Sequence, residues 1–462
     1  MIDLVRTALA DEPAWLVGGT LRDRLLGRET LDIDVVVDGD VRTAARKLAR
    51  AAGGASFELS DQYGAWRVVA RDRSWQVDVV PLQGGSLEAD LAARDLTVNA
   101  MAEPVGGGAL VDPHGGEADL RAQRLRMVSA AAFDADPLRA LRVVRLATEL
   151  GFDVDAATAA AAAQRAPRLP DVAPERVFAE LKRVVGAADP LRGLALMDEL
   201  ALTAHVLPEL DALRGVGQSR YHHADVHGHT LEVLQRVVDL ERDAASVLGD
   251  DLGPRVSSLL AEPLADELTR GGALRLGALL HDAAKPQTRT DFGEGRVGFP
   301  GHDSAGAGLA RDVLGRLRAS ERLRAHVAAL TRHHLRLGFL VRDAPLDRRA
   351  EYRYLEACAP VAADVTLLSV ADRMATRGRK ADAAIERHLE LARQLLAAAL
   401  DRRDAGSEAP LVRGDELAAE VGIAPGPQLG VLLAAIAEAR YAGEVGTRAE
   451  AISLARAALS AR

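Results

Sequence analysis

The sequence predicts an α/β domain at the amino end followed by an all-α remainder. Between Ala14 and about Met127, short valine-rich runs alternate with helical segments, as in a sheet flanked by helices. Beyond Asp136 the apolar residues recur at helical spacing. Alanine and leucine dominate the apolar share and aromatic residues make up only 3%, a composition that favours packed helices over stacked sheets.

The length of 462 residues predicts several cooperative units. We expect four: an α/β head at 1–127, a helical neck at 128–215, a helical domain rich in histidine at 216–380 and a helical tail at 381–462. In the head, the predicted strands cover 34–37, 67–70 and 76–80. In the neck, Gly151 has the position of a helix C-cap. Loops are expected at 213–223, 249–254 and 290–301.

Composition also excludes some classes of function. The single cysteine, Cys358, allows neither an internal disulfide nor a cluster of thiolate metal ligands, so we expect a reduced cytoplasmic protein. Charged residues near the amino end and the lack of a long apolar run predict neither a signal peptide nor contact with a membrane. A net charge of -9 argues against general nucleic-acid binding, so any RNA contact must use local basic patches.

Two carboxylates one residue apart are the first chemical signal. Asp32 and Asp34 flank Ile33 in a predicted strand, where residues two apart project to the same face. Such a pair can bind two Mg²⁺ ions that orient a triphosphate and stabilise a leaving pyrophosphate. Asp78, on a neighbouring predicted strand, is a candidate third carboxylate.

A glycine pair precedes these acids. Gly18 and Gly19 allow the backbone to approach phosphate oxygens, and a helix expected to begin near Thr20 would direct free N–H groups at the same anion. Arg22 adds positive charge. An isolated Gly-Gly is usually a turn and an isolated Asp-x-Asp a strand end, but their order and spacing here together favour nucleotidyl transfer.

Two further polar clusters follow. The first contains Arg94, Asp95 and Asn99, whose groups suit a ribose hydroxyl and a phosphate, although alone they would also suit a helix cap. The second is the start of a predicted helix, on which polar side chains recur every three residues at Asp136, Arg139, Arg142 and Arg145.

Asp136 and Arg139 have a specific chemical use. Cytosine and adenine each present an exocyclic amine beside a ring-nitrogen acceptor, an edge that a carboxylate and a guanidinium complement. Guanine and uracil would instead face the carboxylate with a carbonyl, which costs binding energy. Without the motifs upstream, an ordinary surface ion pair would explain the same two residues.

These segments, over about 14–215, resemble the class II tRNA nucleotidyltransferases, the CCA-adding enzymes and their bacterial poly(A) polymerase relatives. The resemblance implies a polymerase-β-like head with tRNA, CTP and ATP as partners. It also implies metal binding by Asp32 and Asp34, and selection of the base by Asp136 and Arg139. Ribose and phosphate contacts are implied for Arg94, Asp95 and Arg142. The segment 174–181 resembles the neck-helix motif of the same family.

Three departures from the family pattern stand out. Ala93 replaces an arginine and Ala135 an acidic residue, both beside predicted nucleotide contacts. Only ten residues join Val80 to Leu91, where CCA-adding members commonly carry a longer loop. This short connection resembles that of members that add only CC, so CCA and CC both remain open as products.

The histidines concentrate in the third predicted domain. Taken singly, each would more often be a packing or surface residue. Their order resembles the metal-dependent HD phosphohydrolases, which implies the ligands His229, His281, Asp282 and Asp372. His302 with His333, or alternatively His334, would complete a two-metal site. Mn²⁺, Fe²⁺, Ni²⁺, Co²⁺ and Mg²⁺ all suit such donors, and phosphatase or phosphodiesterase activity would follow.

Several hypotheses thus remain open. We expect an enzyme that adds C and A to tRNA from CTP and ATP, with phosphohydrolase activity as a second function. Poly(A) synthesis is an alternative within the same class. An HD phosphohydrolase whose head only binds RNA or nucleotide, and an RNA-binding scaffold without turnover, are alternatives from other classes. The sequence leaves the oligomeric state open.

Overall fold

The structure, a computed structural model, describes residues 1–30, 32–60, 64–72, 74–218, 224–294, 296–376, 381–406 and 409–460. The chain divides into two compact units, Met1–Val206 and Leu207–Arg462. The predicted loop at 213–223 extends into residues outside the described part. The four-part division stays a prediction, and its neck, expected at 128–215, extends beyond the end of the first unit at Val206.

The first unit contains a six-stranded sheet, a separate pair of short strands, and helices that lie before, between and after the strands in the sequence. Its strands are β1 (Ala14–Val17), β2 (Asp32–Val37), β3 (Ala55–Ser60), β4 (Ala65–Val69), β5 (Gln76–Pro81), β6 (Ala102–Pro104), β7 (Arg124–Leu125) and β8 (Asp153–Val154). Its helices are α1 (Ile2–Ala8), α2 (Gly18–Leu25), α3 (Val41–Ala52), α4 (Leu87–Ala92), α5 (Gly116–Arg121), α6 (Ala130–Ala135), α7 (Arg139–Leu150), α8 (Ala156–Arg165), α9 (Pro174–Gly186), α10 (Pro190–Glu199) and α11 (Thr203–Val206). Short 3-10 helices cover Thr97–Asn99 and Ala166–Asp171.

Six strands form one mixed sheet in the order β3-β4-β5-β2-β1-β6. Strands β2 and β5 are parallel, and the other neighbouring pairs are antiparallel. Strands β2, β4 and β5 confirm the three runs predicted from the valine pattern. The sheet therefore carries both Asp-containing segments at its centre.

The two faces of the sheet have different partners. Ile33, Val35 and Val37 of β2 are buried in a core that includes residues of α1 and α3. Val36 faces the other way, into a smaller cluster with Leu91 of α4. Because side chains alternate along a strand, the acids of β2 lie on the face of α4.

The helical neck follows within the same unit. Helices α7, α9 and α10 pack against one another. Helix α7 ends at Leu150 and is capped by Gly151, whose φ of 73° lies in the left-handed region that favours glycine. The predicted C-cap is thus confirmed. Helix α7 begins at Arg139, one of the two predicted base-selecting residues, and packs against α9.

The second unit is almost entirely helical. Its helices are α12 (Pro208–Asp211), α13 (Val226–Arg242), α14 (Ala245–Leu248), α15 (Gly253–Ala261), α16 (Arg270–Leu280), α17 (Lys285–Thr288), α18 (His302–Arg316), α19 (Glu321–His333), α20 (Arg336–Leu340), α21 (Arg348–Ala357), α22 (Ala362–Met374), α23 (Ala381–Ala405), α24 (Gly414–Val421), α25 (Pro427–Tyr441) and α26 (Arg448–Ser460). A 3-10 helix covers Val341–Asp343. Two small hairpins are formed by β9 (Pro263–Ala265) with β10 (Leu268–Thr269) and by β11 (Thr290–Asp291) with β12 (Val297–Gly298). The second hairpin lies in a segment predicted as a loop.

Four helices form the centre of this unit. Helix α16 packs against α13, α19 and α22, and its residues 271–280 are all buried. Helix α23, predicted as the start of a separate tail, packs along α22. Helices α24 to α26 form a hydrophobic cluster of their own around Leu417 and Ile436.

No single described helix is both long and apolar enough to cross a membrane. Helices α21 and α22 reach that length and composition only when joined, and they are bent by 96° where they meet.

Candidate functional site

The head brings three predicted carboxylates to one face of the sheet. Asp34 and Asp78 are direct register partners on the parallel strands β2 and β5. Asp32 lies two residues before Asp34, so all three side chains project to the side opposite Ile33 and Val77. Oδ1 of Asp32 accepts a hydrogen bond from Nε2 of Gln76 at 3.1 Å.

Asp34 is the more buried of the two acids on β2. Its burial raises the pKa of the carboxyl to about 6, and the charge of Asp32 adds to the rise against the opposing effect of Arg94. A pair of acids so close together, with one of them partly desolvated, is stabilised by a bound cation. The donor set of Asp32 and Asp34 therefore fits a divalent metal.

Asp78 has a strong partner of its own. Its two oxygens accept hydrogen bonds from Nε and Nη2 of Arg67 at 2.6 and 2.7 Å. Arg67 lies opposite Asp78 on the antiparallel neighbour β4. This bidentate ion pair neutralises the third carboxylate, which distinguishes Asp78 from the two acids of β2.

The glycine pair begins α2, two residues earlier than predicted. Gly18 has a φ of 63°, and a Cβ built there would lie 3.1 Å from both Oδ2 of Asp34 and Nη1 of Arg94. The Oγ1 atom of Thr20 accepts a hydrogen bond of 2.7 Å from the backbone N–H of Asp34. The start of α2 is therefore held directly against the acids of β2, with its free backbone N–H groups at the same place.

Four predicted nucleotide contacts form one hydrogen-bonded network. Arg22 donates from Nη1 to Oδ1 of Asn99 at 2.8 Å, and Nδ2 of Asn99 donates to Oδ1 of Asp95 at 3.0 Å. Nε of Arg142 donates to Oδ2 of Asp95 at 2.9 Å. Although burial opposes ionisation of Asp95, the charge and hydrogen bonds of Arg142 and Asn99 hold its pKa well below its usual range.

The same network reaches the neck. Nη1 of Arg142 lies 3.5 Å from Oε1 of Glu180 on α9, and the other carboxylate oxygen of Glu180 accepts a hydrogen bond from Nε of Arg145. Arg145 is buried, and Nη1 also donates to Glu149 at 3.0 Å. The structure thus places Arg145 between two glutamates inside the neck. Glu180 was not predicted as a site residue, although it lies in the segment that resembles the neck motif.

Asp136 and Arg139 lie near each other but not on one continuous helix. Helix α6 ends at Ala135 and α7 begins at Arg139. Pro137 explains the break, because the residue before a proline is pushed to extended backbone and Asp136 has a φ of -146°. The prediction that this helix begins at Asp136 is therefore wrong, because α7 begins three residues later, at Arg139.

These two side chains have separate partners. Oδ2 of Asp136 lies 2.6 Å from Nη2 of Arg176 on α9. Arg139 donates to two backbone carbonyls, Ala132 at 3.0 Å and Ala93 at 2.9 Å. Among the described residues the two do not form the ordinary surface ion pair that was the alternative interpretation. Ala93, one of the departures from the family pattern, contributes through its backbone.

The second unit assembles histidines and acids from five separate helices or their ends. His229 lies in the first turn of α13, His281 and Asp282 follow α16, and His302 begins α18. His334 follows α19, and Asp372 lies near the end of α22. Two groups have donor atoms within 4.8 Å of one another: His229, His281 and Asp282, and Asp282, His302 and His334. Asp282 is common to both.

Hydrogen bonds orient three of the rings. Nδ1 of His281, His302 and His334 pairs with the carbonyl three residues earlier, at 2.8, 2.7 and 2.7 Å. A ring that donates from Nδ1 carries a lone pair on Nε2, and the Nε2 atoms of His302 and His334 lie 3.3 Å apart. Two lone pairs at this distance repel unless a cation lies between them.

A proton does not serve as that cation at His334, because burial lowers its pKa to about 4. Asp372 is ionised, since the hydrogen bond and charge of His229 outweigh burial and hold its pKa well below its usual range. Nε2 of His229 lies 3.0 Å from Oδ1 of Asp372. Imidazole nitrogens together with carboxylate oxygens fit a divalent metal centre.

His333 does not join this cluster. Its ring is half-buried beside the guanidinium groups of Arg332 and Arg336, whereas His334 is fully buried among the ligands. The choice of His333 over His334 is therefore corrected by the structure. The two residues differ by 100° around a helix, and the turn that ends α19 decides which one points inward.

In the second unit, the sequence analysis missed two further site residues. Nζ of Lys285 lies 2.6 Å from Oδ2 of Asp282 and donates to Gln218 at 2.6 Å. His388 of α23 is buried, and its Nε2 lies 3.2 Å from Oγ of Ser369 on α22. The spacing of Lys285 three residues after Asp282 was a usable signal, because a helical turn brings such residues together. No local pattern pointed to His388.

Comparison with protein families matches three segments of the chain. The family described as the Poly A polymerase head domain matches residues 14–79 and 67–126. The family described as a probable RNA and SrmB-binding site of polymerase A matches residues 151–214. The HD domain family matches residues 226–377. These segments contain the predicted head, much of the neck and the histidine cluster.

Two curated relatives and one solved structure extend the comparison. An A-adding tRNA nucleotidyltransferase of Deinococcus radiodurans is 38% identical over 444 residues, which cover 95% of this chain and 94% of the relative. A CC-adding tRNA nucleotidyltransferase of Thermus thermophilus is 35% identical over 447 residues, 95% of this chain and 92% of the relative. A CCA-adding enzyme of Thermotoga maritima, solved in complex with tRNA, shares the fold with a TM-score of 0.61 and 19% identity, covering 99% of this chain and 94% of that chain.

These matches confirm the resemblance, the predicted fold class and the prediction of an enzyme that transfers nucleotides. With identity above a third over nearly the whole length of both proteins, the chain belongs to the tRNA nucleotidyltransferase family, with a head of the poly(A) polymerase type and an HD domain.

Proposed function

We propose that this chain extends the 3′ end of tRNA with nucleotides from CTP or ATP, using the acids of β2 in its head. The observation that carries the proposal is the close placement of Gly18 beside Asp34 and Arg94, where an added Cβ would lie 3.1 Å from both side chains, because it brings a phosphate-binding helix start next to a predicted metal ligand. The names of the relatives, one A-adding and one CC-adding, support the choice of substrates. We also propose that it acts in the cytoplasm, consistent with its one cysteine, a buried free thiol.

Asp32 and Asp34 would hold Mg²⁺ in the head. The bound ions would lower the pKa of the attacking hydroxyl and stabilise the leaving pyrophosphate. In the reaction, the 3′-oxygen of tRNA forms a bond to the α-phosphorus, the bond to pyrophosphate breaks, and the hydroxyl proton leaves to solvent. The start of α2 and Arg94 bind and orient the triphosphate.

The ribose and base would be held on the other side of the triphosphate. The network of Arg22, Asn99, Asp95 and Arg142 fixes the groups that meet the sugar. Asp136 and Arg139 would read the amine edge of cytosine or adenine. Arg139 uses two of its five N–H groups on carbonyls, which leaves three for a base.

Two tRNA substrates distinguish which part of the CCA end this chain adds. The connection between β5 and α4 contains only Leu82–Ser86, in accordance with the short segment predicted from the sequence. We propose that the chain adds a part of the CCA end, as the two relatives named above do. A tRNA lacking all of CCA and a tRNA ending in CC, each incubated with CTP alone, with ATP alone and with both nucleotides, separate the cases. Two cytidylates on the first tRNA indicate CC addition, one adenylate on the second indicates A addition, and a full CCA end from both nucleotides contradicts the proposal.

Poly(A) synthesis is a second candidate, because the matched head family takes its name from poly(A) polymerase. It predicts long tails from ATP alone on RNA that is not tRNA. Addition that stops after one adenylate would exclude it.

We further propose that the cluster of the second unit is a metal-dependent phosphohydrolase centre. His229, His281, Asp282 and Asp372 would hold one ion, and Asp282, His302 and His334 a second. The imidazole-rich donors suit Mn²⁺, Fe²⁺, Co²⁺ or Ni²⁺ better than Mg²⁺, and the bound metal would generate hydroxide from water. Hydrolysis forms a bond from the water oxygen to phosphorus and breaks the ester bond, whose oxygen takes up a proton.

The experiment for this second activity measures phosphate release with Mn²⁺ or Ni²⁺ added to the metal-stripped protein. Release from a nucleoside 3′-monophosphate that is lost in His281→Ala but kept in Asp34→Asn supports the proposal. Release that survives in His281→Ala would contradict it. This comparison also tests the hypothesis that the chain is only a phosphohydrolase, which predicts that Asp34→Asn changes no activity at all.

A further inference from the structure

A cavity of about 660 Å³ opens beside the histidine cluster. Asp282, His302, His334 and Asp372 line one part of it. We call it the HD cavity. Its volume lies in the range of pockets that hold nucleotide-sized ligands. The cavity is therefore larger than a single phosphate group needs.

Three arginines also line the HD cavity. Arg342 comes from the 3-10 helix at Val341–Asp343, Arg373 from α22 and Arg387 from α23. Within the described residues none of the three forms an ion pair with a carboxylate, and Nε of Arg387 donates only to the carbonyl of Ala383 at 3.3 Å. Three elements thus converge to bring unpaired positive charge to one wall.

Other arginines of α23 show that this lack of partners is specific to the cavity. Arg393 pairs with Glu386, Arg402 with Glu356 and Arg403 with Glu262. The helix therefore neutralises its arginines on its other faces. Among the described arginines of α23, only Arg387, which lines the HD cavity, lacks an acidic partner.

The acids of the cavity are already engaged. Asp282 lies within 2.6 Å of Nζ of Lys285 and Asp372 within 3.0 Å of Nε2 of His229. Neither is thus free to balance the three arginines. His388, which lines the same wall, adds no negative charge. The wall therefore carries positive charge that no described carboxylate neutralises.

The metal centre and the arginines would serve two different anionic groups. A phosphate ester at the centre would be held by the metal ions that the proposed ligands bind, so the guanidinium groups are in excess of what that phosphate needs. We propose that Arg342, Arg373 and Arg387 form a second phosphate subsite, so that the HD cavity prefers phosphate esters that carry another phosphate close by. An RNA 3′ end with a terminal phosphate and a nucleoside bisphosphate share this chemistry. The inference rests on the phosphohydrolase function proposed above.

The test compares adenosine 3′,5′-bisphosphate with adenosine 3′-monophosphate as substrates in the presence of Mn²⁺. Wild-type protein should have a KM for the bisphosphate lower by about tenfold or more, since a phosphate gains strong bonds from arginine. In the variant Arg342→Ala with Arg373→Ala this ratio of KM values should fall towards one. Arg322→Ala, which removes an exposed arginine of α19 outside the cavity, is the matched control and should keep the ratio. An equal ratio in wild type and the double variant overturns the subsite.

Binding separates failure of the subsite from failure of the hydrolase. If no substrate releases phosphate, calorimetric titration of the bisphosphate into the Mn²⁺-loaded full chain still tests the arginines. Binding that weakens in the double variant supports the subsite and contradicts only the hydrolase. Unchanged binding overturns the subsite. Competition by a short RNA with a 3′-phosphate, but not by the same RNA with a 3′-hydroxyl, would identify RNA ends as the source, and the lack of competition would identify the free nucleotide.

Discussion

Gly18 faces the carboxylate of Asp34 so closely that little room is left for a side chain between them. A Cβ at residue 18 would lie 3.1 Å from Oδ2 of Asp34 and equally close to Nη1 of Arg94. The backbone that begins α2 therefore occupies the space between an acid and a guanidinium that both serve the triphosphate. Glycine is required there for two reasons, the close approach and the φ of 63°.

Gly18→Ala and Gly27→Ala separate these two reasons. Both residues have positive φ, but a Cβ at residue 27 meets no atom within 4 Å. Each variant should lose about 1 kcal/mol in its free energy of unfolding from backbone strain. Only Gly18→Ala should also lose nucleotide incorporation, by about tenfold or more, because its methyl group displaces Asp34 or Arg94. Steady-state incorporation and urea unfolding measure the two effects, and equal activity of both variants would contradict the account.

The pKa of Asp34 predicts a pH dependence of stability in the metal-free protein. It is raised from 3.8 to about 6, chiefly by burial. Between these values the folded protein keeps a proton that the unfolded chain has released. The stability that this group contributes is fully present below about pH 4 and is lost as the pH rises through about 6.

Asp34→Asn should remove this loss. The free energy of unfolding of the variant minus that of the wild type should therefore grow between about pH 4 and about pH 7, by up to about 3 kcal/mol. Urea unfolding with a chelator present measures the difference. A difference independent of pH, or one that shrinks, would show that Asp34 is not the group described.

Selection of the base is tested at Asp136. Asp136→Ala should lower the preference for CTP over UTP, measured as a ratio of kcat/KM values, by about tenfold or more, since the exocyclic amine loses its acceptor. Asp134→Ala is the control, because Asp134 is an exposed acid two residues earlier that pairs with Arg165. If both variants keep the preference, the base is read elsewhere.

Metal content distinguishes two adjacent histidines. His334→Ala should reduce the Mn²⁺ or Ni²⁺ bound to the second unit, because Nε2 of His334 lies 3.3 Å from that of His302. His333→Ala should leave it unchanged, since this ring lies beside arginines outside the cluster. Equilibrium dialysis followed by metal analysis gives the stoichiometry. Metal loss in His333→Ala alone would reverse the assignment.

The sequence predicted most of the head because its signals are local. Alternation along 32–37 decides which side chains of β2 are buried, so Asp32 and Asp34 had to share a face. Long-range pairing carries no such signal. The bond of Arg67 to Asp78 depends on which strand lies beside β5, and the contact of Arg142 with Glu180 depends on how α9 packs.

The second unit shows the same difference between local signals, which the sequence carries, and long-range contacts, which it does not. His281 and Asp282 were recognisable at the end of an apolar helix, whereas the choice between His333 and His334 depended on the turn that ends α19. His388 lies on α23, which was predicted as part of a separate tail. It reaches the HD cavity because α23 packs along α22. The periodicity of the sequence does not predict a tertiary contact of this kind.

The central claim is that the acids of β2 perform nucleotide transfer, and one comparison tests it most directly. A tRNA without its CCA end and a tRNA ending in CC are incubated with Mg²⁺ and labelled CTP or ATP, using the wild type, Asp34→Asn and Asp38→Asn. Asp38 is an exposed acid just beyond β2 and serves as the control. We predict that Asp34→Asn loses incorporation by at least about a thousandfold while Asp38→Asn keeps it. Incorporation by Asp34→Asn at the wild-type rate would contradict the account.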